Sequence, residues 1–183
     1  MAEYYLIAQL PSLDGLNENS PVPIGEKEFL ELCSRFLSKK ALSEVQDVTL
    51  VPSLDKVKSS SALINAWNEG ERDLRLALAK VRADKMDKPF NFPNKTLPIE
   101  MIKAANEAIE KQSPLEAENF LLQYRLNFLE TLRPIDNFSN EFILYYALKL
   151  KLLLRVRKFD SSIGQSEYNK IYHSIINGDS EVK

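Results

Sequence analysis

Apolar residues recur along Leu63 to Lys85 (LINAWNEGERDLRLALAKVRADK) at alternating four- and three-residue steps: Leu63, Trp67, Gly70, Leu74, Ala77 and Val81. That spacing places them on one face of an α-helix, with Leu78 widening the stripe. The stretch is dominated by Leu, Ala, Arg, Glu and Lys and holds no proline, a composition that favours helix. Such a helix is about 33 Å long. A compact chain of this length has a radius of gyration of about 16 Å, so the helix crosses most of the molecule and forms its spine.

The same pattern, read from the start of the chain, predicts further helices. Tyr4 to Leu10 is a short apolar run whose length fits either a buried strand or a buried helical turn. Val48 to Val51 is the other strand-like run, and at most a minor two-stranded pairing is expected. Ser12 to Gly25 reads as a loop, with Asp14-Gly15, Pro21 and Pro23 as turn chemistry. Glu26 to Ser38 is amphipathic and should bury Phe29, Leu32, Cys33, Phe36 and Leu37, followed by a shorter helical piece over 39–47. Serines at 59–61 supply an N-cap for the spine.

The helical pattern stops after Lys85. Pro89, Pro93 and Pro98 interrupt it, and residues 89–98 are the expected connection between an N-terminal half (1–88) and a C-terminal half (99–178) of one compact unit. Phe90 and Phe92 should pin that connection to the core. Pro98 suits the first turn of a helix running to about Lys111. Ser113-Pro114-Leu115-Glu116 is a capping box with proline at the first helical position. The Ser113 hydroxyl is placed to accept from the third helical amide. The helix it opens should bury Phe120, Leu121, Tyr124, Phe128 and Leu132. From Ser139 to Lys158 the chain is apolar on nearly every side, the mark of a central helix. A last amphipathic segment, Gln165 to Ile176, precedes a fraying tail at 179–183. The fold class expected is all-α: a helical bundle with two long buried helices.

Composition narrows the function classes. Apolar residues make up 44% and charged residues 27% of the 183, as in ordinary soluble globules. A net charge of −2 offers no field that would gather nucleic acid or an anionic membrane. No secretory leader is evident at the N-terminus. The longest unbroken apolar run, Phe142 to Leu148, is far short of the ~20 residues of a membrane span. The single cysteine, Cys33, sits among apolar neighbours and reads as a buried small residue in a chain from a reducing compartment.

Catalytic signatures are missing. One histidine, His173, and one cysteine cannot build a zinc or thiolate site. No phosphate loop, dinucleotide fingerprint or nucleophile elbow occurs. Glu69 and Asp73 share a helical face; ion pairing with Arg72 and Lys80 is a more ordinary use for them than a divalent metal. No catalytic residue, cofactor or metal site is therefore expected. Two basic features stand out. Arg72, Arg75 and Arg82 lie on the spine near Trp67, and arginine beside tryptophan is a common interface anchor. Glu71 and Arg75 form an i,i+4 pair in the favourable order, so a solvated, ion-paired face is the plainer reading. The second is Lys149, Lys151, Arg155, Arg157 and Lys158, of which Lys151, Arg155 and Lys158 share a stripe. Cations near a helix C-terminus complement its dipole, which explains them without a partner; docking to an acidic surface is the alternative.

Three stretches together carry a resemblance: YYLIAQLPSL at the start, AWNEGERDLRLALAKVRADK in the spine, and FILYYALKLKLLLRVRKFDSSIGQSEYNKIY near the end. The matching residues are Tyr4, Tyr5, Leu10, Pro11, Leu13, Trp67, Leu74, Arg75, Ala79, Arg82 and Ala83, then Tyr146, Lys149, Leu150, Arg155 and Gly164. They resemble an uncharacterised bacterial family encoded alongside V/A-type ATPase subunits. The Leu- and Arg-rich helical pattern is also similar to the funnel-shaped central-stalk component of those enzymes, which links the rotor shaft to the membrane rotor ring. Val156 stands where that pattern places an aromatic residue. The resemblance implies a non-catalytic accessory subunit that couples or positions the soluble and membrane sectors. Other ATPase subunits would be its partners, on the cytoplasmic face of the inner membrane. Trp67, Arg72, Arg75, Arg82, Lys151, Arg155 and Lys158 would meet those partners. A helical adaptor unrelated to the ATPase, or an enzyme with a carboxylate-lined helical pocket, are the readings it competes with.

Overall fold

A computed structural model describes residues 2–16, 20–53, 58–91, 95–157, 166 and 168–173. The fold is all-α, with no strand among the described residues. Among the described residues the helices from the start of the chain to 157 are α1 (Ala2–Gln9), α2 (Glu26–Phe36), α3 (Lys39–Gln46), α4 (Ala62–Lys85), α5 (Ile99–Glu110), α6 (Pro114–Thr131) and α7 (Asn140–Arg157). Residues 168–173 are also helical.

The strand alternatives give way to helix and loop. Tyr4 to Leu10 falls in and just after α1, where Leu6, fully buried, and the half-buried Ile7 and Leu10 share a face while Tyr4 and Tyr5 point outward. That is helical spacing, and residues 48–51 form a loop that offers no pairing edge. In the loop after α1 Gly15 takes a φ of 73°, the left-handed conformation that an Asp-Gly turn needs and glycine adopts freely.

The spine is α4. Ser61 caps it, its hydroxyl accepting from the Ile64 amide at 3.1 Å. The same hydroxyl donates to Glu141 at the start of α7 (2.8 Å), so the N-termini of α4 and α7 are tied together. Leu63, Trp67, Gly70, Leu74, Ala77 and Leu78 are buried as the stripe requires, while Val81 at its end is half-buried. α6 begins at Pro114 behind Ser113, whose hydroxyl accepts from the Leu115 amide (3.2 Å), one residue earlier than the third-position amide expected. Its buried face is Leu121, Leu122, Arg125, Leu126 and Leu129, while Phe120, Tyr124, Phe128 and Leu132 are half-buried. Every residue of α7 from Ile143 to Leu150 is buried, which makes it the central helix.

Two hydrophobic clusters form the interior. The first joins α1, α2, α3, the start of α4, the end of α6 and α7; the second joins the end of α4, α5, the start of α6 and Leu97. α4 and α6 thus run antiparallel through both clusters, and α5 packs on each of them. The connection before α5 is fastened by Leu97, buried in the second cluster, and by Lys95, which bonds Asp73 on α4. Phe90 is 38% exposed, and Phe92 lies outside the described residues.

Candidate functional site

Residues picked out from the pattern are brought to different places. Trp67 is a core residue, 1% exposed, with its ring against Phe128 at 6.1 Å between centroids. It does not stand on the surface beside the arginines, because it belongs to the buried stripe of its own helix. Arg72 is half-buried and donates from Nη2 to the Ser53 carbonyl at 3.2 Å. Arg75 donates from Nε to Glu71 Oε1 at 2.8 Å. Arg82 is exposed in the last turn of α4.

The second basic stripe bridges helices. Lys151 pairs with Glu26 at the start of α2 (2.8 Å), and Arg155 pairs with Glu118 on α6. Lys158 lies outside the described residues, and so does the side chain of Arg157. In these places the cations hold the bundle together before they meet anything else.

Two buried polar clusters form around Glu71 and Lys149, drawing Arg75 and Lys149 from the basic features into contacts that the sequence pattern does not foretell. Glu71, its side chain 2% exposed, receives two hydrogen bonds from the Arg125 guanidinium (2.9 and 3.1 Å) besides the one from Arg75. Its position carries a signal: it follows Trp67 by four residues and precedes Leu74 by three, inside the apolar stripe. A carboxylate there demands a buried cation. The other cluster surrounds Lys149, 7% exposed, which bonds Asp14 (3.0 Å), Glu130 and the Tyr145 hydroxyl (3.3 Å). Arg133 reaches the same Asp14 at 3.3 Å. The hydrogen bond from Lys149 holds the Asp14 carboxyl below its usual range. Burial pushes Glu130 up, but bonds from Lys149 and Tyr145 more than offset it and leave its carboxyl low. Burial likewise opposes the Lys149 charge and is outweighed by those carboxylates, so its ammonium holds its proton more firmly than usual.

Burial raises the Cys33 thiol to about 12, far from the range in which a thiolate attacks. Glu69 and Asp73 do converge, but on the Lys95 ammonium, at 3.2 and 2.6 Å. Among the described residues no three acidic, histidine or cysteine side chains gather in a metal-holding group. A cavity of about 230 Å³ between α4 and α5 is lined by Val81, Asp84, Lys85, Asn106, Ile109 and Glu110. It is smaller than the ~300 Å³ at which small-molecule sites usually begin. His173 is exposed beside Tyr172. No helix among the described residues is long and apolar enough to cross a membrane.

No family model, curated protein or solved structure matches the chain.

Proposed function

We propose that the chain is a non-catalytic structural subunit: an accessory component of a V/A-type rotary ATPase that couples or positions its soluble and membrane sectors from the cytoplasmic side. The identity of that machine rests on the resemblance carried by the Tyr4, Trp67 and Tyr146 stretches. The mechanical role is supported by one observation: α4, of 24 residues, is shared by both hydrophobic clusters and fastened to α6 by the buried Glu71–Arg125 pair. Close-packed interiors resist deformation, so such an element transmits displacement from end to end. Of the cations in the two stripes, Arg82, exposed at the far end of α4, and the outward parts of Arg75 and Arg155 are placed to meet acidic neighbours.

Affinity purification of the tagged chain from native membranes, with mass spectrometry of what accompanies it, tests this. Recovery of ATPase subunits in fixed proportion is the expected result. A well-expressed chain that brings down none of them removes the ATPase from the reading. A helical adaptor serving some other partner is the second reading, favoured by a surface unrelated to the cationic stripes: the exposed aromatic corner formed by α1 and the α6–α7 turn.

A further inference from the structure

At that corner large apolar side chains face water together. Tyr4 lies stacked on Phe138 at 4.8 Å, and Tyr5 meets Tyr4 edge-on at 6.0 Å. Tyr4, Phe138 and Tyr5 are 54%, 51% and 59% exposed, and Ile135, in the same turn as Phe138, is fully exposed. Single exposed hydrophobes are ordinary; a contiguous group that includes stacked rings is what binding surfaces show. The charges next to it are sorted by depth. Lys149 is only 7% exposed, whereas the carboxylates it bonds, Asp14 and Glu130, are 56% and 42% exposed. Asp136, whose Oδ1 accepts from the Phe138 amide at 2.9 Å, is exposed as well. Arg133 sits between them with its guanidinium committed to Asp14 and lying 5.8 Å from the Phe142 and Tyr145 rings. Lys149 is turned inward and Arg133, 35% exposed, is spent on Asp14, while three carboxylates face outward, so exposed acidic groups outnumber exposed cations here.

We propose that this corner docks a basic amphipathic helix of a partner protein. Its apolar face would lie on Tyr4, Tyr5, Ile135 and Phe138, and its lysines or arginines on Asp14, Glu130 and Asp136. A helix fits better than an extended peptide because no strand edge exists among the described residues to receive one, and a helix arrives with its backbone already satisfied. An anionic membrane is disfavoured by these exposed carboxylates. A symmetric second copy would bring the same carboxylates face to face. The surface is separate from the cationic stripes, and the proposal stands or falls independently of the ATPase reading.

The test uses the full chain, isotope-labelled, titrated with a synthetic amphipathic helix of leucine and lysine, and in parallel with its leucine–glutamate counterpart. Expected are amide shifts clustered at Tyr4, Tyr5, Ile135 and Phe138 with the lysine peptide, weakened by salt, and none with the glutamate peptide. The exposed pair Tyr5→Ser and Ile135→Ser should leave the circular dichroism spectrum unchanged and weaken binding about tenfold, equivalent to ~1.4 kcal/mol. Equal binding of both peptides, shifts centred elsewhere, or no binding overturns the proposal. So does a dimer in sedimentation, or attachment to phosphatidylserine vesicles, that the same double substitution abolishes.

Discussion

Glu71 sits between Arg125 and Arg75, and its removal exposes how much of α4–α6 cohesion is ionic. Glu71→Gln keeps the shape but leaves the Arg125 guanidinium buried without a counter-charge, which costs about 3 kcal/mol. Replacing both, Glu71→Leu with Arg125→Met, returns the site to an apolar contact and should lie within about 1 kcal/mol of the parent. Urea midpoints of the single and double variants check this; a double variant as weak as the single would show that the charges do more than neutralise each other. Gly70 is a second such position. A β-carbon there would stand 2.4 Å from the Phe128 ring, which is itself stacked on Trp67. Helix propensity favours alanine by about 1 kcal/mol, but displacing a stacked ring costs about 1–3 kcal/mol. Gly70→Ala should therefore lose about 1 kcal/mol in thermal or urea unfolding, and Phe128→Leu beside it should recover the loss. A gain in stability from Gly70→Ala alone would mean the ring swings away without cost. Cys33, with its thiol buried and raised to about 12, should resist iodoacetamide in the folded chain at pH 8 and react only on unfolding.

α7 carries the titrating network, and its pH response follows from three directions. Asp14 and Glu130 are held low in the fold, so the stability they lend is present above their unfolded range near ~4 and disappears as pH falls through their folded values. Lys149 is held high, as are Tyr145 and Cys33. Their contributions are complete below the unfolded values, about 8.5 for the thiol and about 10 for the others, and are lost on going higher. Stability should be flat between roughly pH 5 and pH 8 and fall on both sides. Lys149→Met removes the cation shared by Asp14 and Glu130, so the acid limb of denaturant midpoint against pH should become shallower. An unchanged acid slope would place the sensitivity elsewhere. The helices themselves are legible wherever apolar residues keep a 3.6-residue period: α2, α4 and α7 lie close to where that pattern puts them. Tyr4–Leu10 is ambiguous because one helical turn and one short strand demand nearly the same handful of apolar residues. The buried face of α6 lies a step away from the one its aromatics suggest. Phe120, Tyr124 and Phe128 look like core but sit at its margin, while Arg125 looks like surface and is inside. The partners of Lys151 and Arg155 are illegible for a plainer reason. Glu26 and Glu118 lie on other helices, and only the packing of those helices decides which carboxylate each cation meets.

Across the whole molecule, α4 and α6 decide whether two hydrophobic clusters behave as two units or one. Trp67 reports on the first cluster, and Met101 on α5 belongs to the second, 7% exposed. If the clusters melted separately, a cavity at Met101 would leave the tryptophan signal where it was. Because α4 contributes Leu63 and Trp67 to one cluster and Leu74, Ala77 and Leu78 to the other, loosening the second frays the helix on which the first is built. The buried Glu71–Arg125 pair lies between those two sets of residues and penalises any state in which only one end of α4 is docked. Met101→Ala removes a buried side chain at a cost of about 2–5 kcal/mol. The expected outcome is one transition, with the Trp67 fluorescence and far-ultraviolet circular dichroism midpoints moving down together in urea. Separate midpoints, with fluorescence unmoved, would make α4 a hinge between two lobes and remove the stiffness on which the mechanical reading depends.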